Sequence, residues 1–174
     1  MGSSLGGKSH LIATREPMET IMNVKRKKAE AEIQPAKAET IGGVVAYLQV
    51  NGATKAAEFY ARAFGATEIY RNPVDESGRT MHIHLHLNGS SIMLSDAYPE
   101  YGHALQPPQG FSIMLPVDDI DAWWERAIEA GAESVMPVQL MFWGDRYGQL
   151  RDPFGVLWAL NSPVKPAPAA RKRR

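Results

Sequence analysis

Two segments of the chain repeat apolar residues at helical spacing. They lie in "NGATKAAEFYARAFGATEI" and "DDIDAWWERAIEAGAESV", with apolar residues at i, i+3, i+4, i+7 and i+8. The predicted buried faces are Ala56, Phe59, Tyr60, Ala63 and Phe64 in the first helix, and Ile120, Trp123, Trp124, Ala127 and Ile128 in the second. Asp118 is predicted to cap the second helix, and Gly65 and Gly131 are predicted to end the two helices.

Strand-like runs surround each helix in the same order. The runs "VVAYLQV" and "FSIMLPV" precede the helices, and three further runs follow each helix, separated by turn-forming stretches such as "NPVDESG" and "DPFG". The strands after the helices are predicted at about residues 67–72, 81–88 and 90–96, and at about 133–141, 145–151 and 156–161. Each half of the pattern therefore predicts a β-α-β-β-β unit.

The two halves form an internal repeat. Val50 and Val117, which end the first strands, are 67 positions apart, and the helix-ending glycines are 66 apart. The starts of "GSSIML" and "GVLWAL" are also 66 apart. One supersecondary unit is therefore present twice, which predicts an α+β fold of two tandem modules. We place the domain at residues 43–163, with modules at about 43–98 and 110–163, because one module alone would bury too little surface.

Composition and charge narrow the classes of function. Residues 1–42 lack an apolar stripe and are predicted to be a flexible segment, and residues 164–174 a flexible basic tail of charge +5. Residues 41–163 carry a formal charge of −7, which disfavours nucleic-acid binding. The absence of cysteine, of a signal-peptide pattern and of a long apolar run leads us to expect a soluble cytoplasmic protein that does not enter membranes.

Three stretches of the repeat resemble a known superfamily. "AAEFYARAFGA", "MHIHLHLNGSSIMLSDAYPE" and "FWGDRYGQLRDPFGVLWALN" are similar to the vicinal oxygen chelate superfamily of glyoxalase I, bleomycin-resistance proteins and extradiol dioxygenases, and especially to its PhnB-like branch. The resemblance covers about residues 43–163. It implies a U-shaped mixed sheet with helices on the convex side, a ligand cavity on the concave side, and a homodimer.

The resemblance also implies where a metal would bind. Metal-dependent members take ligands from the first and last strand of each module, and these positions fall here on Val45, Met93, Ser112 and Ala159. Valine, methionine and alanine do not supply the oxygen or nitrogen donors that a divalent ion needs. We therefore expect no metal cofactor at the positions usual for the superfamily.

Alternating histidines mark one predicted strand. His82, His84 and His86 share one strand face, and apolar residues occupy the other, so the histidines are expected to line the concave cavity. His82 and His84 can share a zinc ion, or either can move a proton as an acid or base. Alternatively, the three side chains are a polar lining without chemistry.

Other side chains are candidates for ligand contact. Asp96 either meets a ligand or sets the turn before Pro99, and Arg146 either binds an anionic or carbonyl group or pairs with Asp145 or Asp152. Trp143 can form an aromatic wall. The full candidate set is Tyr47, Gln49, His82, His84, His86, Ser95, Asp96, Trp143 and Arg146.

Two functions fit these predictions. One is a metal-free binder of a small molecule, like the bleomycin-resistance proteins. The alternative is a lyase or isomerase of the glyoxalase type that uses an atypical metal or acid-base site at His82 and His84. A third role, in which the basic tail recruits an anionic partner, rests only on the charge of that tail.

Overall fold

A tandem repeat of β-α-β-β-β units forms residues 39–164, the part of the chain that the computed structural model describes. The first unit contains β1 (Ala46–Val50), α1 (Ala53–Phe64), β2 (Thr67–Arg71), β3 (Ile83–Leu87) and β4 (Ser90–Asp96). The second contains β5 (Ile113–Pro116), α2 (Ile120–Ala130), β6 (Glu133–Leu140), β7 (Asp145–Arg151) and β8 (Leu157–Pro163). The predicted α+β class and the order of elements are confirmed.

Each unit folds its strands into a four-stranded mixed sheet. The strand orders are β1-β4-β3-β2 and β5-β8-β7-β6, so the two units have the same connectivity. In each sheet the first strand runs parallel to the last, with Tyr47 opposite Met93 and Met114 opposite Ala159. The remaining pairs are antiparallel. The internal repeat in the sequence is therefore a repeat of structure.

Helix α1 forms as the apolar spacing predicts. All five residues of its predicted face are at most 2% exposed. Gly65 ends the helix in the left-handed region, with φ of 70°. The start of the helix has no cap from its own sequence, because Gly52 occupies the N-cap position. Instead the carboxylate of Asp96, at the end of β4, accepts hydrogen bonds from the backbone N–H groups of Gly52 and Ala53.

Helix α2 differs from its prediction in two respects. Asp119, not Asp118, caps the helix and accepts a hydrogen bond from the backbone N–H of Ala122. Of its predicted buried face, Ile120 and Ala127 are buried, Trp123 and Trp124 are only partly buried, and Ile128 is exposed. Eight residues span slightly more than two helical turns, so Ile128 points in a different direction from Ile120. The face of α2 that neighbouring elements cover is therefore narrower than that of α1.

The two units share one core through their helices. Helix α1 packs on α2, where the rings of Phe64 and Trp123 stack 6.4 Å apart. The Phe64 ring also lies 4.7 Å from that of Trp158, which is fully buried in β8. Across the same interface the Tyr60 hydroxyl donates to the Asp152 carboxylate at 2.8 Å. Trp158 is therefore a core residue that joins the modules.

The predictions for both ends of the chain concern mainly residues that the structure does not describe. Residues 1–38 and 165–174 lie outside the described range, so the predicted flexible segment and the predicted basic tail stay predictions. In the range 39–164, neither helix is long and apolar enough to cross a membrane.

Candidate functional site

His84 and His86 of β3, and His82 just before it, lie on one face of the first sheet, as the alternation predicts. Ile83, Leu85 and Leu87 point into the core and are at most 5% exposed. The strand registers place polar and aromatic side chains of β1, β2 and β4 beside the histidines. We call this surface the histidine face: Tyr47, Gln49, Tyr70, His82, His84, His86, Ser91, Met93 and Ser95.

A cavity of about 490 Å³ adjoins the histidine face. We call it the tyrosine cavity, and its lining consists of Tyr47, Gln49, Met81, Ser95, Asp96, Tyr98, Tyr101 and His103. Tyr98 and Tyr101 come from the stretch after β4, where their rings stack with centroids 6.1 Å apart. A backbone bridge between Tyr98 and His103 folds this stretch back on itself. The cavity is thus made by one sheet face and the segment that leaves it.

Sequence reasoning missed the part of the lining that follows β4. Tyr98, Tyr101 and His103 were not among the candidates because they follow a strand. Met81 was placed on the apolar face of the strand predicted at 81–88, but β3 starts at Ile83, and Met81 is half exposed and lines the cavity. The stretch "AYPEYGH" contained a usable signal. Two tyrosines and a histidine close to the carboxyl end of a strand are the kind of side chains that binding loops carry.

Tyr47 and His82 form a hydrogen-bonded pair between the cavity and β3. The Tyr47 hydroxyl lies 3.1 Å from His82 Nδ1 and 3.1 Å from the Met81 carbonyl oxygen, to which it can donate. Partial burial raises the pKa of Tyr47, and the nearby Ser95 hydroxyl partly opposes this effect. Burial also lowers the pKa of His82. At neutral pH the pair is therefore an uncharged phenol beside an uncharged imidazole.

None of the three histidines lines the tyrosine cavity, contrary to the expectation that all three do: His82 reaches it only through its contact with Tyr47, and His84 and His86 bond to other groups. His84 is 2% exposed, and its Nε2 lies 2.7 Å from the Ser91 hydroxyl oxygen. That oxygen also accepts a hydrogen bond from the backbone N–H of Ile41, and His86 Nε2 donates to the Glu39 carbonyl oxygen. The two imidazoles thus anchor the segment that enters β1, and burial and the neighbouring histidines lower the pKa of His84.

Asp96 is committed to the backbone around the cavity. Besides Gly52 and Ala53 it accepts a hydrogen bond from the backbone N–H of Thr80 at 2.8 Å. The side chain is 3% exposed. Asp96 therefore has a structural role, as one of its two predicted roles proposed. Its carboxylate caps α1 and fixes Thr80, however, rather than setting the turn before Pro99.

Arg146 and Trp143 lie in the second module, apart from the tyrosine cavity. Arg146 pairs with Asp121 of α2 at 2.8 Å, not with Asp145 or Asp152 as considered from the sequence. Strand alternation puts Arg146 on the face of β7 that meets α2, together with the buried Leu150. Trp143 is half exposed in the turn before β7, with its ring 5.7 Å from that of Tyr147.

Comparison with known proteins identifies the family. The model of the Glyoxalase/Bleomycin resistance protein/Dioxygenase superfamily matches residues 40–160, which is most of the chain. The chain belongs to this superfamily. The uncharacterized protein Rv0887c of Mycobacterium tuberculosis is a superfamily relative that is 39% identical over 125 residues, covering 68% of this chain and 73% of that protein.

Solved structures of superfamily proteins show the same fold. Protein PA1353 from Pseudomonas aeruginosa is 31% identical, with a TM-score of 0.58, over 69% of this chain and 96% of that one. The PhnB protein from Bacillus cereus is 21% identical, with a TM-score of 0.55, over 70% and 99% of the two chains. At that identity the PhnB likeness shows the fold, in agreement with the resemblance seen in the sequence.

The side chains at the superfamily's metal positions do not fit a metal ion. Met93 lies opposite Tyr47 and Ala159 opposite Met114, and neither residue is a ligand for a divalent cation. His82 Nδ1 and His84 Nε2 already have partners in Tyr47 and Ser91. Among residues 39–164, no three histidine, aspartate or glutamate side chains gather in a way that could hold a metal.

Proposed function

We propose that this superfamily member binds a small organic molecule in the tyrosine cavity without a metal ion. The observation that carries the proposal is the cavity itself, about 490 Å³ of space lined by three tyrosines, a few uncharged polar groups and Asp96, whose carboxylate is bonded to backbone N–H groups. This volume falls in the range of small-molecule sites, which are mostly apolar with a few placed polar groups. The side chains at the superfamily's metal positions lack suitable donor atoms, which supports the metal-free part of the proposal.

Three polar side chains of the lining can bond to a ligand in this proposal. The Gln49 amide nitrogen reaches the His103 carbonyl oxygen at 3.4 Å, a long contact that leaves its amide oxygen available to a ligand donor. The hydroxyls of Tyr47 and Ser95 can each donate or accept. The tyrosine rings supply flat apolar area at low cost in side-chain entropy.

A thermal-shift screen of a metabolite library tests the proposal. A compound that binds only the folded protein raises its melting temperature. For a stabilising compound, Gln49→Leu and Tyr47→Phe are expected to weaken binding by about two- to tenfold, the effect of one lost hydrogen bond. Trp143→Leu, which removes a half-exposed ring outside the cavity, is the matched control. Unchanged affinity in both cavity variants would contradict the proposal.

Elemental analysis of the purified protein tests the metal-free part separately. We expect no stoichiometric transition metal and no response of the melting temperature to added zinc or nickel. Stoichiometric metal that disappears in His82→Ala would overturn this part and favour a glyoxalase-like centre.

Acid-base catalysis is a second candidate function, favoured by the pairing of Tyr47 with His82. The Tyr47 phenol lines the cavity and lies next to the neutral imidazole of His82. The phenol can take a proton from a ligand as it passes its own proton to that imidazole. His82 is the preferred base in this alternative, because His84 is buried against Ser91. If the protein converts a carbonyl compound, Tyr47→Phe and His82→Gln should both lower kcat, whereas a binding role lowers affinity alone.

A further inference from the structure

The structure points to the class of ligand, and this inference rests on the proposed function. We propose that the tyrosine cavity takes an uncharged, planar aromatic molecule that carries a carbonyl, hydroxyl or ring-nitrogen group. The proposal depends on three properties of the described residues: the charges around the cavity, the arrangement of its rings, and the kind of polar atoms that line it.

The charged groups near the cavity are already paired. The described lining contains one acidic residue, Asp96, and no lysine or arginine. Three backbone N–H groups donate hydrogen bonds to the Asp96 carboxylate. Arg79, whose guanidinium lies over the Tyr98 ring, bonds to both Asp75 and Glu100. A charged ligand would lose its hydration without gaining a free counter-charge, which is unfavourable.

The position that would favour a cation is occupied. A cation over the face of a tyrosine ring is attracted by the negative potential of that face. The Arg79 guanidinium lies over the Tyr98 ring, 4.4 Å from its centroid. An incoming cation at this ring would meet the arginine, so the Tyr98 ring does not contribute to a cage for ammonium groups.

The rings form a platform for a flat molecule. Tyr98 and Tyr101 are inclined by 29° to each other, close to parallel stacking. Tyr98 is 7% exposed whereas Tyr101 is 66% exposed, so the inner ring is fixed and the outer ring retains free area. Tyr47, 54% exposed, contributes a further ring from the sheet. Aromatic ligands gain from stacking beyond their burial of apolar area.

The polar atoms of the lining suit uncharged functional groups. The hydroxyls of Tyr47 and Ser95 and the amide of Gln49 offer donors and acceptors without a net charge. A ligand carbonyl or ring nitrogen can accept from a hydroxyl, and a ligand hydroxyl can donate to the amide oxygen. One such group is therefore enough to orient a ring in the cavity.

Four matched probes test the inference by isothermal titration of the full-length protein. They are 2-naphthol, which is neutral, 2-naphthoate, an anion, N,N,N-trimethyl-2-naphthylammonium, a cation, and decahydro-2-naphthol, which is neutral and not aromatic. We expect 2-naphthol to bind at least about five times more tightly than each of the others. Tyr101→Leu should weaken 2-naphthol by about two- to tenfold, the effect of one aromatic pair, and Tyr101→Phe should not.

A control variant and the alternative outcomes complete the test. Phe142→Leu changes a ring that is 95% exposed and outside the cavity, and it should leave 2-naphthol binding unchanged. If the anion or the cation bound more tightly than 2-naphthol, and Tyr101→Leu abolished that binding, the inference about the ligand class would be overturned. The proposal that the cavity binds a small molecule would then still stand. Failure of 2-naphthol to bind at millimolar concentration would overturn the aromatic class, while the library screen decides the proposed function independently.

Discussion

The buried carboxylate of Asp152 accepts four hydrogen bonds in the "DPFG" loop. The donors are the backbone N–H groups of Phe154 and Val156, the Trp158 indole and the Tyr60 hydroxyl. The carboxylate fixes the loop that starts β8 and also joins the two modules. Burial, together with the neighbouring Asp152 carboxylate, raises the pKa of Tyr60 well above its usual value, so this phenol stays a donor.

Removing one partner of this network should be mild, and removing its centre severe. Tyr60→Phe keeps the ring and is expected to lower the free energy of unfolding by about 1 kcal/mol. Asp152→Ala leaves buried donors unpaired and should cost about 3 kcal/mol or more. Urea unfolding measures both. Tyr101→Phe at the surface is the control, and an Asp152→Ala variant as stable as Tyr60→Phe would contradict this account.

His84 should make stability depend on pH. Its pKa is lowered in the folded protein from 6.5, chiefly by burial, so the unfolded chain takes up a proton first as the pH falls. The free energy of unfolding should therefore be level above about pH 6.5 and decrease below it. Urea unfolding at pH 7.5, 6.5 and 5.5 measures the slope.

A conservative variant isolates this effect. His84→Gln keeps a side chain that can bond to Ser91 and does not titrate, so the decrease below pH 6.5 should become shallower. His103→Gln, which changes an exposed histidine, is the matched control. An identical slope in the wild type and His84→Gln would assign the pH dependence to other groups, of which His82 is the first to examine.

Strand alternation predicted those candidate residues whose position depends only on the face of the strand. Tyr47, Gln49 and Ser95 lie at the cavity because their strand parity put them there. His84 shows why the rest could not be predicted. It shares the parity of His82, but Ser91 and the segment at Ile41 cover it, and these come from a strand pairing that periodicity does not specify. Parity predicts a face, whereas burial on that face depends on tertiary contacts.

At the scale of elements, the close approach of α2 to its sheet depends on Gly148. A Cβ atom at this position would lie 2.8 Å from the Trp124 ring and 2.9 Å from a methyl group of Val138. It would also lie 3.2 Å from the Val138 backbone, which belongs to the paired strand β6 and cannot turn away. The absence of a side chain here lets the indole pack on the strand.

Gly148→Ala should therefore destabilise the second module. Overpacking of this kind costs about 1–3 kcal/mol. Gly43→Ala is the matched control, because no atom lies within 4 Å of the added methyl group there and its backbone does not require glycine. Thermal unfolding measures both variants. Equal melting temperatures for Gly148→Ala and the wild type would show that α2 moves aside without cost.

The types of the secondary-structure elements could be predicted from the sequence, but the residues at which they start and end could not always be predicted. The face of α1 was fully predictable because both its sheet and α2 cover it, so its whole stripe is apolar. Its start was not predictable, because the cap is Asp96, 43 and 44 positions along the chain from the groups that it binds. A cap supplied by another strand leaves no mark in the sequence beside the helix.

At the scale of the whole molecule, each four-stranded sheet has its first strand at an edge. In the described residues, β1 and β5 each pair with one strand only, β4 and β8 respectively. Met114 on β5 and Phe111 just before that strand are 54% and 51% exposed. Exposed edges with apolar side chains are surfaces that proteins usually cover. This arrangement supports the homodimer expected from the superfamily resemblance.

Sedimentation equilibrium tests the dimer. A dimer has about twice the chain mass of 19.2 kDa, and a mass near 19.2 kDa would refute it. Met114→Lys adds a charge on β5 and should shift the protein toward the monomer, because burying an unpaired charge in an interface is costly. Val135→Lys on β6, at the opposite edge of the same sheet, is a matched control with similar exposure. Dissociation by Val135→Lys but not by Met114→Lys would place the contact on β6 and leave the edges of β1 and β5 free.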